Sequence, residues 1–203
     1  PAQTALASTQ GEARLPRLFW AYWMVLILSV ALEWSLVGWG TDFLATNVGF
    51  APASAATWFS LFFLGAVLGR FANSRWTRYL PARTLLLMMF FVVAAAFPLF
   101  WLAQTPWINL LGLAVLGFGI GSLFPLGLST ALNIAAEQSD TASSRVSLGS
   151  GLAILLAPFT LGWLADAYDL GSAFAIVVAI LCAAIVVTAV TNRAAARQHA
   201  DTR

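Results

Sequence analysis

Residues 19–40 read FWAYWMVLILSVALEWSLVGWG, with Glu33 the one charged side chain among them. A helix of that length reaches roughly 33 Å at 1.5 Å per residue, enough to cross the hydrocarbon core of a bilayer. The run follows a polar stretch and carries Trp20, Trp23, Trp34 and Trp39 beside the acid. A signal peptide has a shorter, uninterrupted apolar core, so the run reads as a true span. Five further apolar runs, bounded by polar residues or by Pro and Gly, occupy residues 55–71, 84–103, 108–132, 146–164 and 172–191. Composition agrees: of 203 residues 61% are hydrophobic and only 9% charged, whereas soluble domains run near a quarter charged. The expectation is an all-α polytopic bundle of six transmembrane helices over residues 19–192, after a cytoplasmic linker at 1–18 and before a cytoplasmic tail at 193–203.

Charge orients these spans. Six crossings put both tails and the second and fourth loops on one side, and the first, third and fifth loops on the other. All ten basic residues are arginine. Arg14, Arg17, Arg70, Arg75, Arg78, Arg83, Arg145, Arg193, Arg197 and Arg203 all fall on the first side, while Asp42, Asp166 and Asp169 fall on the second. The positive-inside rule then makes both ends cytoplasmic in a multi-pass protein of the cell membrane. A soluble bundle has no reason to sort its charges by alternate loops. The sorting also accounts for the net charge of +2 without a nucleic-acid partner.

Absences narrow the chemistry. The only histidine is His199 in the tail and the only cysteine is Cys182 in an apolar run, so no disulfide, haem pair or His/Cys metal cluster is expected, and no cofactor. Ser147 and Ser150 have no histidine at membrane depth to act as base, which argues against an intramembrane serine protease and against an enzyme generally. The Gly-rich runs lack the lysine and the strand-to-helix setting of a phosphate loop, so nothing suggests a nucleotide-driven pump.

The polar residues inside the spans form stripes. At 100° per residue Tyr22, Ser29, Glu33 and Gly40 fall within about 40° of one another on the first span. Ser122, Pro125, Ser129 and Asn133 align along one side of the fourth, where Pro125 removes a helix hydrogen bond and frees a backbone carbonyl. Ser147, Gly151 and Pro158 do the same on the fifth. Back-bonding to the preceding turn is the plainer account of the serines. Trp34 and Trp39 are candidates to stack on a substrate, whereas Trp20, Trp23, Trp101 and Trp107 sit near span ends as interfacial anchors. Gly65 with Gly69, and Gly117 with Gly121, are small-xxx-small pairs that permit close helix packing.

Three features in order carry a family resemblance. Between the second and third spans stands Gly69-Arg70-Phe71-Ala72-Asn73-Ser74-Arg75-Trp76-Thr77-Arg78, in the place of a Gly-x-x-x-Asp-Arg-x-Gly-Arg-Arg loop. It departs from that pattern with Asn73 for the acid and Trp76 for the second glycine. The fourth span is GFGIGSLFPLGLSTAL, followed by the acidic loop at 137–140, and APFTLGWLADAYDLGSAF runs through a short turn into the sixth. In this order they make the chain resemble the C-terminal six-helix half of a major facilitator superfamily transporter, over roughly residues 15–192. The resemblance implies two six-helix halves that hold a small-molecule substrate between them near mid-membrane and expose it to each side in turn. The partner it implies is an N-terminal half of the same chain, upstream of Pro1. It places the first and fourth spans on the cavity wall and makes Gly69, Arg70, Asn73, Arg75 and Arg78 a cytoplasmic gating loop. Transport would be secondary active, by symport or antiport. The alternative reading is a transporter-like scaffold or receptor module that moves nothing.

Glu33 is the candidate coupling residue. It lies too deep for its short side chain to reach the interface, and an unpaired charge there costs about 2.5–3.5 kcal/mol on insertion scales. That cost favours the protonated acid until the cavity opens to water or a cation enters, the behaviour of a proton-coupling or cation-binding site. One acid with aromatic and hydroxyl neighbours suits a sugar, a drug-like amphiphile or an organic cation.

Overall fold

The computed structural model describes residues 14–201. Residues 1–13 of the linker and 202–203 of the tail lie outside the described residues. Helices follow in the order α1 (Arg17–Thr46), α2 (Pro52–Trp76), α3 (Ala82–Leu102), α4 (Pro106–Ile134), a 3₁₀ turn (Ala136–Gln138), α5 (Ser139–Ala167), α6 (Leu170–Ala173) and α7 (Ala175–Asp201). There is no strand among the described residues. Six of these segments are long and apolar enough to cross a membrane, the last running from Leu170 to Arg197 through α6 and α7. Proline marks several starts. Pro52 and Pro106 occupy first helical positions, where the missing N–H costs nothing because that group has no intrahelical partner. The helices outrun the apolar runs, α1 by reaching Thr46, because helical hydrogen bonding continues where the chain meets the polar interface.

Glycine sets the packing. α4 lies between α2 and α3, its two most extensive neighbours. A Cβ added at Gly65 would strike the Ala114 carbonyl, one at Gly69 the Phe118 carbonyl, and one at Gly117 the Phe62 carbonyl. The two small-xxx-small pairs therefore interlock with each other, backbone against backbone, as small residues permit where the surrounding lipid is as apolar as the side chains. Gly112 and Gly119 do the same toward α3, meeting the Phe100 backbone and Val93.

Tryptophan joins α1 to α5. The Trp23 ring lies against Gly149 and its Nε1 donates to the Arg145 carbonyl at 2.8 Å; the Trp39 ring lies against Gly162 and donates to the Pro158 carbonyl at 2.8 Å. Both indole N–H groups are thus satisfied, Trp39's within the part-buried interior, where an unpaired donor is costly.

Each end has its own lock. At the end that gathers the arginines, the Tyr22 hydroxyl donates to Asn192 Oδ1 at 2.7 Å, and Asn192 Nδ2 donates to the Arg83 carbonyl at 2.9 Å, tying α1, α7 and α3 together. At the opposite end Phe43, Phe100 and Phe174 pack with ring centroids 4.9–5.9 Å apart, and Trp101 Nε1 donates to the Gly171 carbonyl at 2.7 Å. Asp169 caps α6 there by accepting from the Ser172 N–H and hydroxyl, which holds its carboxyl below the usual aspartate range. Elsewhere the outside is apolar: Phe71, Leu148, Leu155, Phe159 and Trp163 are all more than 60% exposed. Water would not tolerate such a surface on a folded monomer, and lipid does.

Candidate functional site

α2 and α4 interlock through glycine over their middle turns and leave a cleft beyond, toward the arginine end. Arg70, Asn73, Ser74, Thr77, Ser122, Pro125, Leu126 and Ser129 line it, around a volume of ≈ 270 Å³. Residues 69–76 are helical, so this part of the expected gating loop is the last two turns of α2. Arg70 and Asn73 are accordingly fixed on a helix face. Arg75 and Arg78 point away from the cleft into the exposed end, Arg75 with its guanidinium 6.0 Å from the Tyr79 ring centroid.

Arg70 meets α4 at a defect. The carbonyl of Gly121 would accept from the N–H of residue 125, but residue 125 is proline and has none. Arg70 Nε donates to that carbonyl at 2.9 Å. A cationic side chain from one helix thereby satisfies the orphan acceptor of the next, a stronger bond than a neutral donor would make.

Asn73 is 3% exposed. Its amide nitrogen lies 3.0 Å from the Gly69 carbonyl, 2.9 Å from Ser122 Oγ and 3.3 Å from Met89 Sδ. Those surroundings need a donor. An aspartate here would turn an acceptor toward the Gly69 carbonyl and the Met89 sulfur, which gives the departure from the acidic pattern a physical reason. Asn73 Oδ1 has no partner.

Glu33 is half-buried on α1, and its one electrostatic partner among the described residues is Arg70. It forms no hydrogen bond or ion pair with them. The cleft brings together Arg70, Asn73, Ser122, Pro125 and Ser129, and Glu33 stands outside its lining. Three other members of the α1 stripe lie inside the bundle. Tyr22 is 1% exposed and committed to Asn192. Ser29 is buried and donates back to the Val25 carbonyl at 2.8 Å. Gly40 is buried, and a Cβ there would strike the Phe59 ring. α1 touches α2, α4, α5 and α7, and helices cross at an angle, so a straight stripe passes from one neighbour to another instead of facing one cavity. Trp34 is 37% exposed and Asn133 is exposed, and neither lines the cleft. Gly69 serves the α2–α4 interlock. Trp39, a candidate for stacking, is instead spent on α5. Sequence reasoning missed Ser74 and Thr77, although they stand four and seven residues after Arg70, the spacing of one helix face.

Residues 11–202 match the family model described as Major Facilitator Superfamily. A crystal structure of tetrameric PepTSo2 superposes with a TM-score of 0.68 at 16% sequence identity, over 88% of this chain and 41% of that one. The chain thus spans less than half the length of that structure, and at this identity the likeness concerns the fold. No curated protein matches the chain. The family match covers nearly every residue, and the six spans, the α2–α4 glycine interlock and the arginine-bearing end of α2 occur in the order that family implies: the chain belongs to the Major Facilitator Superfamily.

Proposed function

We propose that the chain is the C-terminal half of a secondary active transporter of a small molecule, working by alternating access, with both ends of the segment cytoplasmic and Glu33 as its proton-coupling group. The observation that carries this reading is Glu33 itself: a half-buried carboxyl inside a span, with no bonded partner among the described residues and a single cation, Arg70, acting on it. A structural carboxyl would be bonded to a neighbouring helix; one that must take up and release a proton is left able to do both. The α2–α4 cleft beside Arg70 supplies a wall of mixed polarity, with Ser129, Thr77 and Ser74 set among Pro125 and Leu126. Family membership supports transport as the activity.

The test uses the full-length protein in liposomes with a pH-sensitive dye sealed inside. Sugars, amphiphilic drugs and organic cations are added in turn, and the solute that moves protons identifies the substrate. Glu33→Gln mimics the protonated acid. The expected result is retained exchange of that solute with loss of its accumulation under a pH gradient. Accumulation at the wild-type rate in Glu33→Gln overturns the coupling role.

A further inference from the structure

α5 and α7 both pack on α1, are joined through the short α6, and barely meet each other. The gap between them is a groove of ≈ 360 Å³, floored by Ile27 and Ala31 of α1. Gly149, Ala153 and Ala157 recur at every fourth residue along its α5 wall, and Ile176 and Ile180 stand on the α7 side. Two polar side chains line it and both are already bonded: Trp23 Nε1 donates to the Arg145 carbonyl at 2.8 Å and Thr160 Oγ1 to the Leu156 carbonyl at 2.7 Å. The groove therefore offers apolar surface and no side-chain hydrogen bond. Space beside an apolar wall forfeits dispersion contacts until hydrocarbon fills it.

A cation stands at the mouth of this groove. Arg145 precedes Gly149 by one turn and shares a helix face with the groove residues Leu152 and Leu156. It is exposed and forms no ion pair among the described residues. Helical side chains lean toward the N-terminus of their helix, which carries its guanidinium from the groove toward the polar interface. Asp140, the nearest acid on α5, is set about 140° round the helix from it. From Gly149 to Thr160 α5 rises roughly 16 Å at 1.5 Å per residue. That is about half of the roughly 30 Å of hydrocarbon, the depth of one leaflet.

We propose that this groove binds an anionic phospholipid of the arginine-side leaflet, its phosphate held by Arg145 and one acyl chain laid along α5 from Gly149 to Thr160. The guanidinium fork matches phosphate oxygens, and the trough beyond it has the polarity and the length of the chain. A facing transporter half is not the occupant. Ala31 floors the groove, and Glu33, two positions further along α1, points about 160° away from it. At that depth the groove lies on the opposite side of α1 from the acid that a facing half would meet. The proposal goes beyond the transport reading and takes from it only the side of the membrane.

The experiment uses full-length protein in phosphatidylcholine liposomes that hold a trace of phosphatidylglycerol with a photoactivatable diazirine at the end of one acyl chain. After irradiation the labelled residues are located by mass spectrometry, and the same probe with a phosphatidylcholine headgroup gives the comparison. Label is expected at Thr160 and Ile180, about fivefold more from the anionic probe, the scale of one basic residue beside an anionic lipid. Arg145→Gln should bring the two probes level there while label at Val186, exposed elsewhere on α7, stays unchanged. Ala153→Leu, which fills the trough, should remove the label at Thr160 and Ile180 from both probes, and Ala157→Leu stands in if that variant does not insert. Equal labelling by the two probes in the unaltered protein overturns the proposal, as does a preference that survives Arg145→Gln. Label at Val186 with none at Thr160 and Ile180 overturns it too, and means that the upstream half or a second copy covers the groove. Labelling needs no transported solute, so its outcome and that of the accumulation assay are read separately.

Discussion

Arg70 is held by the one nitrogen of its guanidinium that a lysine cannot imitate. Arg70→Lys keeps the positive charge but removes the Nε donor to Gly121. Hydrogen bonds to charged groups contribute about 1.5–3 kcal/mol, so gradient-driven uptake should fall roughly tenfold or more while membrane insertion stays unchanged. Initial uptake rates normalised to inserted protein decide it, and equal rates would mean the guanidinium acts by charge alone. At this scale the sequence was half legible. That Pro125 frees a carbonyl follows from its ring; that Arg70 satisfies it depends on how α2 and α4 are registered, which no local pattern records. Tyr22 shows the opposite error. Its spacing from Glu33 is right for one helix face, but its hydroxyl meets Asn192, 170 positions away, and only tertiary packing brings the two together.

α2 and α4 pack backbone against backbone through glycine, and their contact can be tested as a unit. Gly117→Ala sets a methyl against the Phe62 carbonyl, a backbone atom that cannot rotate aside. Overpacking of this kind costs about 1–3 kcal/mol, against which alanine recovers up to about 1 kcal/mol in helix propensity. A lower melting midpoint in detergent is therefore expected. Gly151→Ala provides the contrast, since a Cβ there meets nothing within 4 Å, and its midpoint should hold or rise. Equal responses from the two would dissolve the interlock. The glycine pairs were visible in the sequence as permission to pack closely. Which helices they join was not visible, because Gly65 and Gly69 fit any partner with a small-residue groove. The tryptophans divided in the same way: four were recognised at span ends, but the carbonyls that Trp23 and Trp39 reach on α5 lie 122 and 119 residues downstream.

At the scale of the molecule, the fold was the most legible part, because hydrocarbon thickness, helix rise and the sorting of arginines constrain it independently of side-chain detail. What the described bundle exposes is then informative. The cleft with Arg70 opens on a face of α2 and α4, and Leu148, Leu155 and Phe159 stand out from α5. Part of this surface suits lipid, whereas the cleft and Glu33 suit a facing wall that completes a cavity. Alternating access requires one bundle to move against another, so the central claim is that this chain is half of a transporting unit. The direct measurement is solute-driven proton movement in dye-loaded liposomes holding either residues 1–203 alone or the full-length protein, at equal inserted amounts and with the solute found above. The account predicts a signal from the full-length protein and none from the half; a signal from residues 1–203 alone at the full-length rate would contradict it.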